Sequence, residues 1–346
     1  MKTDILSLDF DQLTTVMCEL EQSPYRAKQL FEWLHKRRVS DFSEMTNLSV
    51  AFREVLEQRF CINSLKIKEK LVSNRKDTVK YLYKLSCGQC VETVHMVHNH
   101  GNSICVSSQV GCRMGCKFCA SGVAGFVRNL TPSEMLLQIY ETERQGNTVD
   151  SVVIMGIGEP LDNYDNVVKF IDILQHRYGF GLGRRAISLS TCGLADEINK
   201  LATLQLGLTL SVSLHAVSDD ERSAIMPVNR KYGLERLLRS CADYFAATGR
   251  RISFEYALIA GVNDDVGTAR RLVRLLFDSP LPKGSCYVNL IPVNEIDESG
   301  FMRSSNAEAF AAEVRKSGIT ATVRRTMGSD IDAACGQLRV RNAKSI

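Results

Sequence analysis

The second two-thirds of the chain alternates short apolar segments with longer amphipathic ones, and this alternation limits the fold more than any other feature. Strands that are apolar on both faces and separated by helices predict a parallel sheet covered by helices. Six such units favour an α/β fold, a partial (β/α)6 barrel, with reactive groups at the carboxyl ends of the strands. The predicted strands read NSICVSS, SVVIMG, RAISLS, LTLSVSL, ISFEYALI and CYVNLI, and a seventh unit follows in NAEAFAAEVRKSG and ITATVRR.

Length and composition exclude several other classes of protein. The chain has 346 residues, 45% of them apolar and 24% charged, which is not the composition of a disordered, collagenous or coiled-coil protein. It has no run of 18 or more apolar residues, so no transmembrane helix and no membrane partner are expected. The first residues, MKTDILSLDFDQ, carry acids where a signal peptide needs an apolar stretch, and we therefore expect a cytoplasmic protein. The net charge of +4 permits an RNA partner without requiring one.

The first hundred residues differ in character from the alternating region. Residues 1–64 read as helical, since SPYRAKQLFEWLHKRR is amphipathic, and we predict a small N-terminal domain that binds RNA. Residues 65–100 predict a β-hairpin connector with a turn at Ser73–Asn74, and residues 101–346 form the barrel with a C-terminal cysteine loop. Within the connector, the basic strip from Lys66 to Lys84 holds seven Lys or Arg against two acids. This strip is either a solvated hairpin face or a surface that faces RNA phosphates.

Three cysteines lie close together in one predicted loop after the first barrel strand. Cys112, Cys116 and Cys119 are separated by four and three positions, whereas structural zinc sites usually draw four ligands from two separated pairs. Three close thiolates suit three irons of a [4Fe–4S] cube and leave the fourth iron open to a small ligand. Glycines at 111 and 115 allow the loop to wrap tightly. The alternative is a chance cluster of loop cysteines.

Six further motifs occur together with this cysteine pattern. They read, in chain order, CVSSQVGC, GIGEPLDN, SVSLHA, MPVNR, NLIPVN and GSDIDAACGQL. The spacing C-x3-C-x2-C resembles the signature of radical S-adenosylmethionine (SAM) enzymes. The ordered set, which extends over nearly the whole chain, resembles the RlmN/Cfr family of RNA methyltransferases. That resemblance implies a radical SAM barrel, a [4Fe–4S] cluster, two SAM molecules per turnover and an external electron donor.

Small polar or glycine residues follow the predicted barrel strands at the same end of each. A tight turn or a structural histidine would explain any one of them alone, but several converge beside the cysteine loop. Glu159 in particular could accept hydrogen bonds from an ammonium group. In similar proteins these positions bind SAM, and Leu214 could contribute only backbone or packing contacts. The residues carried over are Gly158, Glu159, Ser190, Ser213, Leu214, His215 and Asn294.

Two cysteines outside the cluster and one glutamate have catalytic roles in the resembling enzymes. Cys335, among small neighbours, matches the cysteine that is methylated by one SAM and carries the methyl group to the RNA. Cys105 matches the thiol that breaks the resulting protein–RNA adduct by forming a transient disulfide, although alone it reads as a buried strand cysteine. Glu92 matches the proton acceptor of that step, although VETV alone reads as a strand with an exposed glutamate.

The resemblance implies a reaction on RNA, with three alternatives. The first is methylation at C2 of adenine 2503 in 23S rRNA and of adenine 37 in tRNA. The second is Cfr-like methylation at C8 of the same ribosomal adenine, which confers antibiotic resistance. The third is a non-catalytic iron–sulfur protein that binds RNA. Pro160, which follows Glu159, matches RlmN proteins, whereas Cfr-like proteins resemble Gly-Glu-Ala at these positions. The pair Cys105 and Cys335 argues against a non-catalytic protein.

Three other signals do not indicate a site. Cys87 and Cys90 form a single CxxC pair, which favours a hairpin turn over a zinc site. His95, His98 and His100 read as surface strand and loop. The pair Arg324–Arg325 reads as part of a solvated face.

Overall fold

A ten-stranded sheet forms the centre of the molecule in a computed structural model that describes residues 2–123, 125–294 and 300–338. The strands, in chain order, are β1 Thr3–Asp4, β2 Phe60–Cys61, β3 Lys66–Val72, β4 Thr78–Lys84, β5 Cys90–His98, β6 Gly101–Val106, β7 Gln109–Gly111, β8 Phe126–Asn129, β9 Ser151–Ile154, β10 Ile187–Thr191, β11 Thr209–Ser213, β12 Ile252–Leu258, β13 Cys286–Pro292 and β14 Ala321–Val323. The helices are α1 Phe10–Glu19, α2 Tyr25–Phe31, α3 Val50–Arg59, α4 Ala120–Val123, α5 Pro132–Arg144, α6 Tyr164–Gln175, α7 Ala195–Thr203, α8 Asp219–Ile225, α9 Leu234–Thr248, α10 Val266–Asp278 and α11 Ala307–Lys316. A π-helical turn, Glu32–Arg37, extends α2.

The predicted α/β barrel strands are confirmed. The sheet runs in the order β14-β13-β12-β11-β10-β9-β6-β5-β4-β3, and β6 and β9 to β14 pair in parallel. These strands are the six predicted ones plus the seventh. From β9 onward, at least one helix lies between each strand and the next along the chain. Because neighbouring parallel strands point the same way, their carboxyl ends share one edge of the sheet.

The predicted hairpin is present, but it belongs to the same sheet as the barrel strands. β3 and β4 pair antiparallel around residues 73–77, β4 pairs with β5, and β5 pairs with β6. The pairing of Val94 with Cys105 joins this antiparallel part to the parallel part. The boundaries at residues 64 and 100 remain a prediction, but hydrogen bonds cross the second of them without a break.

The basic strip divides into two parts with different surroundings. Every residue of β3 except Leu71 is exposed at the edge of the sheet, including Lys66, Lys68 and Lys70. Lys80 on β4, in contrast, is only 8% exposed. The expectation that the strip is solvated or faces phosphates is therefore wrong for Lys80, because both faces of β4 are covered at residues 80–83.

The helices begin where local chemistry predicts and bury one face against the sheet. At the start of α5, Thr131 Oγ1 accepts a hydrogen bond from the Glu134 amide, and Glu134 Oε2 accepts one from the Thr131 amide, which confirms the predicted capping box. The strand residues that face the helices, such as Ile154 and Leu210, are fully buried. Among the described residues, no helix is long and apolar enough to cross a membrane.

The N-terminal segment packs on the barrel through an aromatic cluster around His35. His35 is fully buried, its ring lies 4.4 Å from that of Phe31, and its Nδ1 is 3.0 Å from the Tyr140 hydroxyl on α5. Burial, together with the nearby His176, lowers the pKa of His35 to about 3. The imidazole is therefore neutral in the folded protein at neutral and mildly acidic pH.

This buried histidine makes the stability of the fold depend on pH. Below pH 6.5 the unfolded chain protonates His35 while the folded protein does not, so stability falls from pH 6.5 toward pH 3 by about 1.4 kcal/mol per pH unit. We expect this residue to account for about 2 kcal/mol of the loss between pH 7 and pH 5. Urea unfolding of wild type and of His35→Gln, which cannot titrate, measures the difference at each pH. An unchanged pH dependence in the variant would contradict the prediction.

Candidate active site

One cavity of about 150 Å³ opens at the carboxyl ends of the parallel strands, and most of the predicted site residues line it. Its wall also includes residues that sequence analysis did not single out, among them Met155, Thr191 and Glu255. The predicted residues brought together there are Cys112, Cys116, Cys119, Gly158, Glu159, Ser190, Ser213, His215, Asn294 and Cys335.

The cysteine loop is shaped by a glycine that no other residue could replace. Gly111 has φ +75°, and a Cβ atom there would lie 1.8 Å from the carbonyl oxygen of Gly125. The next residue, Cys112, donates its amide proton to that same oxygen at 2.9 Å. The loop therefore leaves β7 at a sharp angle and returns through β8, which pairs with β7.

The loop places the thiols of Cys112 and Cys116 where they are difficult to ionise without a positive partner. Burial raises the pKa of Cys112 to about 12, and it raises that of Cys116 well above the ordinary value, with further increases from the neighbouring thiols and from Glu159. A bound metal would offset this cost, because coordinated thiolates lose their protons. No three Cys, His, Asp or Glu side chains within the described ranges converge on one point as ligands of a single ion. Cys112, Cys116 and Cys119 line the same cavity, and three cysteine ligands suit a [4Fe–4S] cube whose fourth iron stays open.

Glu159 is a buried carboxylate held by backbone amides. Its Oε1 accepts from the Leu161 amide at 3.0 Å and its Oε2 from the Cys192 amide at 2.7 Å. Burial raises its pKa, and these hydrogen bonds oppose that rise. The carboxylate is therefore fixed at the cavity wall, and its remaining lone pairs can accept from a ligand ammonium. The preceding Gly158 has φ +108°, and a Cβ there would lie 2.6 Å from the Gln109 side chain.

The ends of β10 and β11 contribute small polar groups and one histidine. Ser190 and Ser213 line the cavity, whereas Leu214 is fully buried and does not. His215, at φ +60°, accepts a hydrogen bond from the Ala257 amide through Nδ1 at 2.9 Å. Burial, with a contribution from Arg222, lowers the pKa of His215 to about 3, so the ring is neutral with its proton on Nε2.

The two cysteines predicted to have catalytic roles share a second cavity of about 420 Å³. Cys105 and Cys335 both line it, and Cys335, Asn294 and Met155 also line the first cavity. Burial raises the pKa of Cys105 to about 12 and also raises that of Cys335, while Arg324 opposes both increases. The Cys335 loop is held by the Asn294 amide, which donates to the Cys335 carbonyl at 2.9 Å. Cys335 thus lies at the junction of the cavities.

Glu92 is buried, which corrects the expectation of an exposed strand glutamate. It is 5% exposed, and its Oε1 lies 3.1 Å from Lys80 Nζ. Side chains alternate along a strand, and Val94 pairs with Cys105, so Glu92 projects from the same face of the sheet as Cys105. The sequence pattern favours a strand with one solvated face, but residues 90–95 of β5 are all buried, so both faces of this stretch are covered.

Three side chains that organise the site were missed or misread. Arg222 on α8 is fully buried and donates to the carbonyls of Cys192, Ser213 and Leu214 at 2.7–3.1 Å, which ties the ends of β10 and β11 together. No sequence signal separates it from a surface arginine of a short helix. Arg324, read as solvated, is half-buried between the cavities and contacts Met155 Sδ at 3.2 Å. The position of Met155, at the end of a predicted strand, was the available signal.

Of the signals set aside, the CxxC pair and His95 are structural, whereas His98 and His100 line the second cavity. Cys87 and Cys90 flank the β4–β5 turn, in which the Leu85 amide bonds the Gln89 carbonyl at 2.8 Å, as predicted. His95 is not on the surface: it is 2% exposed, and its Nε2 lies 3.0 Å from the Thr148 carbonyl oxygen.

Comparison with known proteins agrees with this geometry. A model of the radical SAM superfamily matches residues 106–273, and a model of the ribosomal RNA large subunit methyltransferase N-terminal domain matches residues 3–62. The crystal structure of a radical SAM methyltransferase from Sphaerobacter thermophilus aligns with a TM-score of 0.90 and 38% identity over 97% of this chain and 99% of that chain. Fold and cysteine loop therefore define a radical SAM enzyme.

The full-length relatives give the family. A protein of Lachnospira eligens described as a probable dual-specificity RNA methyltransferase RlmN is 46% identical over 99% of this chain and 98% of its own. A Clostridium perfringens protein of the same description is 47% identical over 99% and 98%. The chain belongs to the RlmN family of dual-specificity RNA methyltransferases.

The bonds of Arg222 predict a loss of both stability and SAM affinity when the guanidinium is removed. Arg222→Met leaves several buried carbonyls without a donor, and each such group costs roughly 1–3 kcal/mol. We expect the free energy of unfolding to fall by about 3 kcal/mol or more and SAM to bind about tenfold more weakly. Denaturant unfolding and calorimetric titration of the reconstituted protein measure these effects. Arg236→Met, which removes an exposed ion pair with Asp196, is the matched control, and equal effects in both variants would refute the prediction.

Proposed function

We propose that this protein methylates C2 of adenine in RNA, at position 2503 of 23S rRNA and position 37 of tRNA. The observation that carries the proposal is the placement of Cys335 at the junction of two cavities, with the cluster cysteines on one side and Cys105 on the other. A non-catalytic iron–sulfur protein has no need for two thiols outside the cluster.

The described residues are suited to hold both cofactors. We propose that Cys112, Cys116 and Cys119 hold the [4Fe–4S] cluster. When bound, the cluster and SAM supply a methyl group and a radical that abstracts hydrogen, and two SAM molecules serve each turnover. Fixed at the cavity wall, Glu159 is suited to the SAM amino group. The remaining contacts proposed for SAM are Gly158, Ser190, Ser213, His215 and Asn294, which line the first cavity, whereas Leu214 does not line it.

Cys335 and Cys105, which line the second cavity, complete the transfer together with Glu92, which projects from the same face of the sheet as Cys105. Cys335 carries the methyl group, and after hydrogen abstraction its methylene carbon bonds to C2 of the adenine. The intermediate gives up one electron, which the bound cluster would accept, and Glu92 takes the C2 proton. Cys105 then attacks the Cys335 sulfur, so that a disulfide forms, the sulfur–methylene bond breaks, and the methylene carbon gains a proton to become the methyl group. An external thiol reductant must restore both cysteines before the next turnover.

The proposal includes partners and a location. The cluster needs an external electron donor, and 23S rRNA and tRNA place the protein in the cytoplasm. The exposed edge strand β3, with Lys66, Lys68 and Lys70, offers cations to RNA phosphates without burying any of them.

The product distinguishes this function from its alternatives. Anaerobic incubation of the reconstituted enzyme with SAM, a reductant and RNA, followed by mass spectrometry of the nucleosides, should yield 2-methyladenosine. Methylation at C8 would instead support the Cfr-like reaction, and unmodified RNA under conditions that cleave SAM would support the non-catalytic alternative.

The division of labour between the two thiols predicts a trapped intermediate. Cys105→Ala can still methylate Cys335 and attack the adenine, but it cannot form the disulfide that releases the product. We expect a slowly migrating, ribonuclease-sensitive band on denaturing electrophoresis of the variant expressed in cells. The band should be absent from the double variant with Cys335→Ala. Near-normal methylation by Cys105→Ala without such a band would remove Cys105 from the mechanism.

The exposed lysines of β3 predict a salt-dependent contribution to RNA binding. Replacing Lys66, Lys68 and Lys70 together by Glu should weaken binding and reduce the salt slope by roughly 0.7–0.9 for each phosphate that is no longer neutralised. Filter binding at several salt concentrations measures both quantities. A matched triple variant, Lys200→Glu, Lys283→Glu and Lys316→Glu, changes the net charge equally at other exposed positions. Equal effects in the two triple variants would show that β3 is only a solvated face.

A further inference from the structure

Lys80 is a buried lysine that no role described so far explains. It lies on β4, opposite Val94 of β5, and is 8% exposed. Its Nζ is 3.1 Å from Glu92 Oε1 and 3.1 Å from the carbonyl oxygen of Asp332. A buried ammonium is costly unless charge and hydrogen bonds compensate it, and these two acceptors are the compensation. Lys80 therefore belongs to the interior of the site rather than to the RNA-facing part of the basic strip.

The two acceptors come from the two parts of the protein that must cooperate late in the reaction. Glu92, the proposed proton acceptor, projects from the sheet on the same face as Cys105. Asp332 lies three residues before Cys335 and takes a left-handed backbone conformation, with φ +50°. Such a conformation is unfavourable for a residue other than glycine, so the loop depends on bonds to its surroundings. One ammonium group therefore links the proposed base to the loop of the methyl carrier.

We propose that Lys80 is a positioning residue for release of the methylated RNA: it holds the Glu92 side chain in place, and it fixes the Cys335 loop beside Cys105. The inference rests on the functions proposed for Glu92 and Cys335. The C2 proton moves to the Glu92 carboxylate while Lys80 retains all its protons. The later exchange, in which the Cys335 sulfur leaves the methylene carbon and bonds to Cys105, needs the loop in the place that Lys80 fixes. Methylation of Cys335 itself precedes both events and does not require the lysine.

A purely structural ion pair would behave differently, and this difference makes the proposal testable. A structural lysine, once removed, lowers every activity in proportion to the loss of folded protein. A positioning lysine slows one step and acts through its partner. Its removal therefore slows that step by less once Glu92 is already disabled, because mutations in one network are not additive.

The experiment follows a single turnover of the reconstituted full-length enzyme. Wild type, Lys80→Met, Glu92→Gln, the double variant and the control Lys316→Met, which removes an exposed ion pair with Glu313, are compared. Mass spectrometry measures methylation of Cys335 and the yield of methyladenosine, and denaturing electrophoresis measures the protein–RNA adduct. We expect Lys80→Met to methylate Cys335 as wild type does but to resolve the adduct about tenfold more slowly or worse. In the Glu92→Gln background, removal of Lys80 should slow resolution by a smaller factor than it does in wild type.

Several results would overturn the inference. The first is resolution of the adduct by Lys80→Met at the wild-type rate. The second is a loss of Cys335 methylation in Lys80→Met that parallels its loss of product. The third is slowing in the double variant that equals the combined effects of the two single variants. Lys80→Gln serves as a second variant, since its amide can still donate to Asp332 but carries no charge. If neither variant folds, Lys80 is a structural residue and the proposal is wrong. Failure of wild type to methylate adenine would instead overturn the proposed function, so the two failures are distinguishable.

Discussion

The site depends on the parallel pairing of β6 with β9 and of the strands from β9 to β14. Because neighbouring strands point the same way, Glu159, Ser190, His215 and Asn294, which lie far apart in the sequence, reach one edge of the sheet. The cysteine loop leaves β7 at that same edge, directed by the positive φ of Gly111. Without this shared direction, the residues would be isolated polar groups at the ends of unrelated strands, and none of them could act on a common ligand.

The antiparallel strands on one side extend the sheet from the parallel part to an exposed edge strand that carries lysines. β6 is the strand common to both parts: it pairs with β9 on one side and with β5 on the other. Cys105, on β6, therefore projects from the same face of the sheet as Glu92. The outermost strand, β3, presents its lysines to solvent. A continuous sheet is stiff across its hydrogen bonds. An RNA bound at β3, as proposed, would therefore be held at a fixed distance from Cys105.

The buried charges of the site are arranged so that each has specific partners. Glu159 accepts two backbone amides, Arg222 donates to three strand-end carbonyls, and Lys80 is shared by a carboxylate and a loop carbonyl. Such groups are costly to bury, and each bond recovers only part of the cost. These bonds fix the positions of the elements around the cavities. Glu159 and Arg222 hold the ends of strands, and the bond from Lys80 to Asp332 holds the Cys335 loop.

The sequence by itself determined the barrel strands, the capping box at Thr131, the cysteine loop and the family, because these depend on local periodicity and on short ordered motifs. It could not decide what surrounds a strand. Glu92, His95 and Lys80 lie on β4 and β5, which alternate like strands with one solvated face, and only the tertiary structure shows both faces covered. Arg222 shows the same limit, since a helical arginine is exposed or buried according to what packs over it. Burial depends on contacts between residues distant in sequence, and local patterns carry no record of them.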